Sequence, residues 1–172
     1  MNKVTPPFRA AAVCDCGDHG FVGLTKGGVA LIDIEAVDQI GISLWVSNKG
    51  YAVRTDYADG QKVTVRMHRA VLGAAEVDEV DHINCDRADN RRANLRTCNR
   101  FENSRNCGVR KGRRAKGVDY VPRDKKFRAR ISVDNRTISL GYYATEGEAI
   151  AAYDRAAETM HGDFARVNGG AA

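Results

Sequence analysis

The stretch that decides the fold covers residues 80–107 and reads V-D-H-I-N-C-D-R-A-D-N-R-R-A-N-L-R-T-C-N-R-F-E-N-S-R-N-C. Most of it is too polar and too rich in arginine to form a hydrophobic core. A short strand can end at Asp81 and His82, and a second short strand can form at residues 94–97. Residues 99–106 favour a short polar helix. The stretch therefore predicts a hairpin followed by a helix.

Such a hairpin and helix would bring Asp81, His82 and Asn103 together, although 22 positions separate the first from the last. The carboxylate and the amide offer oxygen ligands of the kind that a Mg²⁺-like ion prefers. The imidazole beside the ion can take a proton from an attacking water near neutral pH. A metal ion that neutralises a phosphoryl group, together with a base for water, suffices to cut a phosphodiester bond.

The spacing of these residues resembles that of the HNH nuclease family, whose ββα-metal site is a hairpin and a helix. Asn94 follows His82 by twelve positions, and Asn103 follows Asn94 by nine. The connecting H-I-N-C-D-R-A-D-N-R-R-A-N-L-R is similar to the loop of phage and intron homing endonucleases. The sequence departs from the family in ending on Asn rather than His, and in having Cys85 where glycine is usual.

The resemblance implies a role for each of these residues. Asp81 and Asn103 would bind the metal, which is expected to be one Mg²⁺ or Mn²⁺ ion per chain. His82 would be the general base, and Asn94 would brace the loop. His68 lies in a predicted short helix over residues 67–72. In the resembling family a histidine-arginine pair commonly stands here and could lie near the catalytic cleft. His68 is nevertheless expected to meet backbone or a carboxylate and is left out of the catalytic set.

Charge is unevenly distributed along the chain. The formal net charge is +5, and residues 107–143 alone hold 11 basic residues against 3 acidic ones. Two basic surfaces, here and in the nuclease stretch, predict a polyanionic partner such as double-stranded DNA. A single basic run is more often only solubilising. Arg113 and Arg114 would contact phosphates or a narrow minor groove. The residues predicted to contact DNA before the C-terminal module are Arg87, Arg91, Arg92, Arg100, Arg110, Lys111, Arg113, Arg114 and Lys116.

Residues 117–168 predict three antiparallel strands packed on one helix. The middle strand alternates apolar residues with Arg128 and Arg130. Thr145 and Glu148 form a capping box at the start of the helix, whose apolar positions recur at helical spacing. The residues expected to form the apolar side are Phe127, Ala129, Ile131, Val133, Ile138, Leu140, Ala149, Ala152, Tyr153, Ala156, Ala157 and Met160.

This region is similar to the plant-type ethylene-response (Apetala) DNA-binding domain, above all in A-A-Y-D-R-A-A at residues 151–157. Further matches are G-V at 117–118, K-F-R-A at 126–129 and L-G at 140–141. That family reads DNA through its sheet. The resemblance therefore implies DNA contacts by Arg128, Arg130, Arg136, Ser139 and Tyr142.

The chain has five cysteines, an odd number, and its N-terminus lacks the apolar segment of a secretion signal. We therefore expect reduced thiols in a cytoplasm, that of a bacterial or phage-infected host cell, and no secretion. Cys14 and Cys16 with His19 offer a zinc alternative. No C-x₂-C pair is present, however, and a structural zinc site is disfavoured. The sequence contains no apolar run of about 18 or more residues, so no membrane span is predicted.

The expected fold class is α+β, with a ββα-metal module followed by the small sheet and helix. Residues 1–13 are expected to be poorly ordered, and residues 14–106 to combine a β-rich segment with a nuclease core at 67–106. A basic linker would follow at 107–116, before the DNA-binding module at 117–168.

The predicted function is that of a site-specific HNH homing-type endonuclease. It would hydrolyse phosphodiester bonds in duplex DNA with one divalent metal ion and a histidine general base, as a monomer or weak dimer. The alternative is a DNA-binding regulator that carries an inactive HNH module. An RNA-binding or RNA-cutting protein is disfavoured because the sheet offers arginines rather than stacked aromatics.

Overall fold

The computed structural model describes residues 11–75, 78–109 and 112–169. By its internal contacts the chain divides into two compact units, residues 1–98 and 99–172. Each unit has its own hydrophobic core. Small antiparallel sheets and short helices make up both units, which is compatible with the predicted α+β class.

Three small antiparallel sheets and four short helical segments occur among the described residues of the first unit. One sheet contains β1 (Ala11–Val13), β2 (Gly20–Gly23) and β3 (Val29–Ile32), and another contains β4 (Val46–Asn48), β5 (Tyr51–Ala58) and β6 (Gln61–Arg66). The third is the hairpin of β7 (Glu79–His82) and β8 (Leu95–Cys98). The helical segments are the 3-10 turn Ile34–Ala36, α1 (Val37–Gly41), α2 (Met67–Leu72) and the 3-10 turn Arg92–Asn94.

The β5–β6 hairpin follows directly from its turn residues. Ala58 pairs with Gln61, so that Asp59 and Gly60 form a two-residue turn. Both turn residues have positive φ, 52° and 75°. An Asp-Gly pair favours this conformation, and its twist matches that of the flanking strands. The Asp59-Gly60 pair, which lies between two stretches of alternating apolar and polar residues in the sequence, predicts this hairpin, and the structure confirms it.

The core of the first unit surrounds Trp45, which is 1% exposed. Its indole Nε1 donates a hydrogen bond to the Ile40 carbonyl at 2.8 Å, so burying the ring leaves its one polar group satisfied. Ile32 and Met67 are fully buried in the same cluster. Because Met67 begins α2, the helix that also carries His68 is anchored in this core.

Two expectations for the start of the chain need correction. Ala11–Val13, part of the segment expected to be poorly ordered, form β1 and pair with β2. Residues 1–10, the rest of that segment, lie outside the described residues. Asp33 was also expected to cap a short helix over residues 34–40, but its side chain makes no capping bond. Its carboxylate instead accepts a hydrogen bond from the Arg92 backbone N–H at 2.9 Å, which ties it to the turn before β8.

The described part of the second unit contains one three-stranded sheet and two α-helices. Its described elements are α3 (Arg100–Asn106), β9 (Val118–Val121), β10 (Lys126–Val133), β11 (Arg136–Tyr143), α4 (Glu146–His161) and the 3-10 turn Gly162–Phe164. The strand order is β11-β10-β9, all antiparallel, with α4 packed on the sheet. The sequence patterns at residues 117–121, 126–133 and 136–143 predict these three strands, and each observed strand agrees with its predicted span to within one residue.

The capping box that was predicted for α4 is present. Thr145 Oγ1 accepts the Glu148 N–H at 3.3 Å, and Glu148 Oε2 accepts the Thr145 N–H at 3.1 Å. Two residues that were expected on the apolar side are exposed instead, Ile138 by 41% and Met160 by 40%. Ile138 lies on an edge strand and Met160 in the last turn of α4, so neither has packing on all sides.

The predicted linker over 107–116 lies within the second unit, and its end is firmly packed. Ala115 is buried in the core. The Lys116 N–H donates to Asn168 Oδ1 at 2.6 Å, and Asn168 Nδ2 donates to the Lys116 carbonyl at 3.3 Å. The Asn168 N–H and Nδ2 each donate at 2.9 Å to Asp154 on α4. The Gly- and Arg-rich composition of the segment predicts a linker and gives no sign of this packing.

Candidate nuclease site and nucleic-acid surface

The β7–β8 hairpin places Asp81 and His82 at the end of β7. Asp81 pairs with Arg96 and His82 with Leu95 across the ladder. Both Asp81 and His82 are 5% exposed. A carboxylate and an imidazole are thus buried side by side at the point where the chain leaves the sheet, an arrangement that requires compensating partners.

Arg96 supplies the compensation for Asp81. Its Nε and one terminal nitrogen donate to Asp81 Oδ2 at 2.9 and 2.7 Å. This charge-assisted pair lies across neighbouring strands and offsets the cost of burying the carboxylate. An ionised carboxylate has about four lone-pair sites, so an ion pair of this kind leaves it able to serve as a metal ligand.

Asn94 spans the loop between the two strands. Its Oδ1 accepts the Asn84 N–H at 3.0 Å, and its Nδ2 donates to the Asp89 carbonyl at 2.8 Å. The Asn94 backbone carbonyl also accepts the Ile83 N–H at 2.9 Å. One amide side chain therefore joins both arms of the loop beside Asp81.

A second ion pair stiffens the same loop. Asp89 is 2% exposed and accepts a two-pronged contact from Arg91, at 2.8 and 2.7 Å. Burial by itself raises the pKa of Asp89, but hydrogen bonds from Arg91 and Asn84 outweigh it and hold that pKa below its usual value. Leu31 on β3 exchanges backbone hydrogen bonds at 2.8 Å with Ala88 and Asn90, which docks the loop on the first sheet.

His82 belongs to a cluster of three rings. Its ring centroid lies 5.0 Å from that of His68 on α2, with the planes at 80°. Tyr51 on β5 lies 5.3 Å from His68 and 6.0 Å from His82. Three elements, β5, α2 and β7, thus fix the orientation of the candidate base.

Burial favours the neutral form of both histidines. Desolvation is the main cause that lowers the pKa of His68 to about 3, helped by the neighbouring His82, Arg66 and Arg69. Desolvation also lowers the pKa of His82, against the Asn90 side chain and Asp81, which raise it. A neutral imidazole is the form that can accept a proton.

His68 was left out of the predicted catalytic set, but it lies beside the candidate base. It was expected to meet backbone or a carboxylate, but it packs against Tyr51 and His82, and its buried Nδ1 has no hydrogen-bond partner. The available sequence signal was the His68-Arg69 pair, at a position where the resembling family commonly has such a pair.

Asn103 lies on α3, in the second unit. The helix begins with a capping box in which Asn99 Oδ1 accepts the Glu102 N–H at 2.9 Å and Glu102 accepts the Asn99 N–H at 2.8 Å. The Asn103 N–H bonds to the Asn99 carbonyl at 3.0 Å, so Asn103 follows one turn after the cap. Its convergence with Asp81 on one ion stays a prediction.

The arginines predicted to contact DNA in the first unit differ in their surroundings. Arg87 is exposed, with its guanidinium 4.5 Å from the Tyr51 ring centroid and one nitrogen donating to the Lys49 carbonyl at 3.0 Å. Arg91 is engaged with Asp89, whereas Arg92 presents an exposed side chain. Arg100, at the start of α3 in the second unit, is also exposed.

The sheet of the second unit carries its arginines around one carboxylate. Arg128 lies opposite Tyr142 and Arg130 opposite Ser139, so these four residues share a face. Asp119 on β9 pairs with Arg128 at 3.6 Å and with Arg130 at 2.7 Å. Asp119 also pairs with Arg113. Sequence analysis did not single out Asp119, because its role depends on strand register.

Five further residues were predicted to contact DNA. Arg136 lies opposite Val133, so by register it belongs to the other face of the sheet from Arg128, contrary to expectation. Arg114 is largely exposed and pairs with Glu146 at 3.6 Å. The Lys116 ammonium donates to the Arg105 and Cys107 carbonyls. Arg110 and Lys111 lie outside the described residues.

Residues 66–105 match the family model described as HNH endonuclease. No curated protein and no solved structure matches the chain. Within the part of the chain that the structure describes, no helix is both long and apolar enough to cross a membrane. The match includes the β7–β8 hairpin, its loop and most of α3, and it stops before the sheet of the second unit. Residues 66–105 thus carry an HNH endonuclease domain, which supports a nuclease.

Proposed function

We propose that the protein is a site-specific, homing-type HNH endonuclease that hydrolyses phosphodiester bonds in duplex DNA. The observation that carries the proposal is the buried Asp81-His82 pair at the end of β7, beside a loop joined by Asn94, inside the segment that matches HNH endonucleases. The cell compartment we propose is the cytoplasm of a bacterial or phage-infected host, and the acting form is a monomer or weak dimer.

The residues present fit one Mg²⁺ or Mn²⁺ ion. The Asp81 carboxylate and the Asn103 amide would hold it, since both offer the hard oxygen atoms that such ions prefer. Arg96 orients the Asp81 carboxylate, so the ligand is positioned before metal arrives. When bound, the ion supplies positive charge that stabilises the charge developing on the scissile phosphate and the leaving oxygen.

His82 would act as the general base. Its ring is held by Tyr51 and His68, and burial favours its neutral form at pH 7. A ring nitrogen can therefore accept the proton of the attacking water. His68 acts here as a positioning residue, because its ring packs against the base and, being neutral, does not repel the imidazolium that forms.

DNA contacts would come from both units. The exposed Arg87, Arg92 and Arg100 are placed to meet backbone phosphates, which favour Arg and Lys without regard to sequence. In the second unit we propose that the Apetala-type sheet face reads the duplex with Arg128 and Arg130. An arginine in the major groove can bond guanine through two hydrogen bonds. Asp119 would keep these arginines extended and spaced.

The test compares cleavage with binding. Wild-type protein should cut a duplex library when Mg²⁺ is present and stop cutting when EDTA is added. His82→Ala should lose cleavage by about 100-fold or more, the usual effect of removing a general base. Its duplex affinity in a gel-shift assay should stay near that of wild type. Thr97→Ala, an exposed position on β8, is the matched control and should cut normally.

Two results would overturn the proposal. Cleavage by His82→Ala at the wild-type rate would show that the base is assigned wrongly. Tight duplex binding by the wild type without any cleavage, with either Mg²⁺ or Mn²⁺, would favour the alternative of a DNA-binding regulator with an inactive HNH module.

A further inference from the structure

A separate group of metal-binding side chains lies at the turn between β1 and β2. The Cys14 N–H donates to the His19 carbonyl at 2.8 Å, and the Gly17 N–H donates to the Cys14 carbonyl at 2.8 Å. Gly17 has a φ of 76°, a left-handed conformation that costs glycine little. The chain thereby reverses within a few residues, which brings the side chains of Cys14, Cys16 and His19 together.

The distances between the three ligand atoms suit a small metal ion. All three lie within 4.8 Å of one another. Cys16 Sγ lies 3.4 Å from His19 Nδ1. In a tetrahedral zinc site, bonds of about 2.3 Å to sulfur and about 2.05 Å to nitrogen place those two atoms about 3.6 Å apart. The turn therefore holds this pair near the separation that zinc requires.

We propose that Cys14, Cys16 and His19 bind one zinc ion. Two thiolates and an imidazole select zinc over Mg²⁺ or Mn²⁺, so this ion is distinct from the one proposed for the nuclease site. Each thiol releases its proton to solvent and bonds to zinc through a sulfur electron pair. Among the described residues no further Cys, His, Asp or Glu joins the group, so water completes the tetrahedron.

This site was disfavoured from the sequence because no C-x₂-C pair is present. In the structure, the turn at Gly17 brings the ligand atoms of the C-x-C-x₂-H arrangement within 4.8 Å of one another, which the spacing in the sequence does not show. The ion would cross-link the first hairpin of the unit whose core contains Trp45. Metal that binds the folded state stabilises it by mass action, so zinc should raise the unfolding temperature reported by Trp45.

The experiment uses the full chain, reduced, stripped with EDTA, incubated with zinc chloride and freed of loose metal by gel filtration. Elemental analysis should find close to one zinc per chain in wild type. Cys16→Ser should lower that content about tenfold or more, because a site of few ligands depends on each thiolate. Cys107→Ser, an exposed cysteine in the second unit, is the control and should keep wild-type zinc.

A second measurement covers the case in which Cys16→Ser fails to fold. Co²⁺ added to stripped wild-type protein should give the visible bands of a tetrahedral, sulfur-ligated ion, and added zinc should remove them. Zinc content near zero in wild type, together with five freely reactive thiols, would overturn the proposal. So would wild-type zinc in Cys16→Ser. Neither outcome bears on cleavage, so the nuclease proposal is judged separately.

Discussion

His68→Phe is the substitution that tests most sharply how burial shapes the candidate site. His68 is buried against Tyr51 and His82, and its pKa falls from the ordinary 6.5 to about 3. Phenylalanine keeps a ring of similar size at this position but cannot take up a proton. It also removes the buried Nδ1 that has no hydrogen-bond partner. At pH 7 the variant should be at least as stable as wild type.

The pH dependence follows from the direction of the shift. Between about pH 3 and pH 6.5 the unfolded chain binds the His68 proton and the folded chain does not, so the free energy of unfolding falls as the pH is lowered through this window. At pH 5 the gap from 6.5 is about 1.5 pKa units, which at 1.36 kcal/mol per unit is about 2 kcal/mol. Any folded pKa below about 4 gives nearly the same figure at this pH.

The assay is urea unfolding at pH 7 and pH 5, followed by fluorescence of Trp45. This is the one tryptophan of the chain, and it lies in the same core as α2. Wild type should lose about 2 kcal/mol more than His68→Phe between the two pH values. His82 titrates in both proteins, so its contribution largely cancels in the difference. Equal losses in the two proteins would refute the claim that His68 is buried in its neutral form.

Three further substitutions test other parts of the structure. Gly117→Ala would place a Cβ 2.0 Å from a ring carbon of Tyr153 at a φ of 72°, whereas Gly147→Ala meets nothing within 4 Å. Gly117→Ala should lower the free energy of unfolding of the second unit by about 3 kcal/mol, whereas Gly147→Ala should leave it unchanged. Thermal unfolding followed by circular dichroism measures both variants, and equal melting temperatures would contradict the packing. Asn94→Ala removes both side-chain contacts across the loop. It should lower the free energy of unfolding, measured by Trp45 fluorescence, by about 1–3 kcal/mol, and it should lower the cleavage rate. An unchanged free energy of unfolding would show that Asn94 does not brace the loop. Asp119→Asn removes the negative charge that Arg128 and Arg130 share, so the sheet face becomes more positive. The slope of log binding constant against log salt concentration should steepen by about 0.9. An unchanged slope would show that this face does not contact DNA.

Local chemistry made much of the fold predictable. The Asp59-Gly60 turn, the alternation in β10 and the Thr145–Glu148 capping box each act over a few residues, and each appears in the structure. The spacing of Asp81, His82 and their neighbours marked the nuclease stretch, and the family match covers that stretch.

What could not be predicted depends on contacts between elements. His68 meets His82 only because α2 packs beside the β7–β8 hairpin. Asp119 meets Arg128 and Arg130 only through the register of β9 on β10. Ile138 had the right pattern for the core but lies on an edge strand, where pattern alone does not guarantee burial.

The most direct test of the central claim is Mn²⁺ binding to the DNA-bound protein, measured by electron paramagnetic resonance. Zinc is supplied first, so that the proposed zinc site does not take up Mn²⁺. Asp81 and Asn103 are proposed to share one ion, so Asp81→Ala and Asn103→Ala should each lose the tight Mn²⁺ site of wild type. His82→Ala should keep that site while failing to cut. Wild-type Mn²⁺ affinity in Asn103→Ala would contradict the shared site and with it the mechanism.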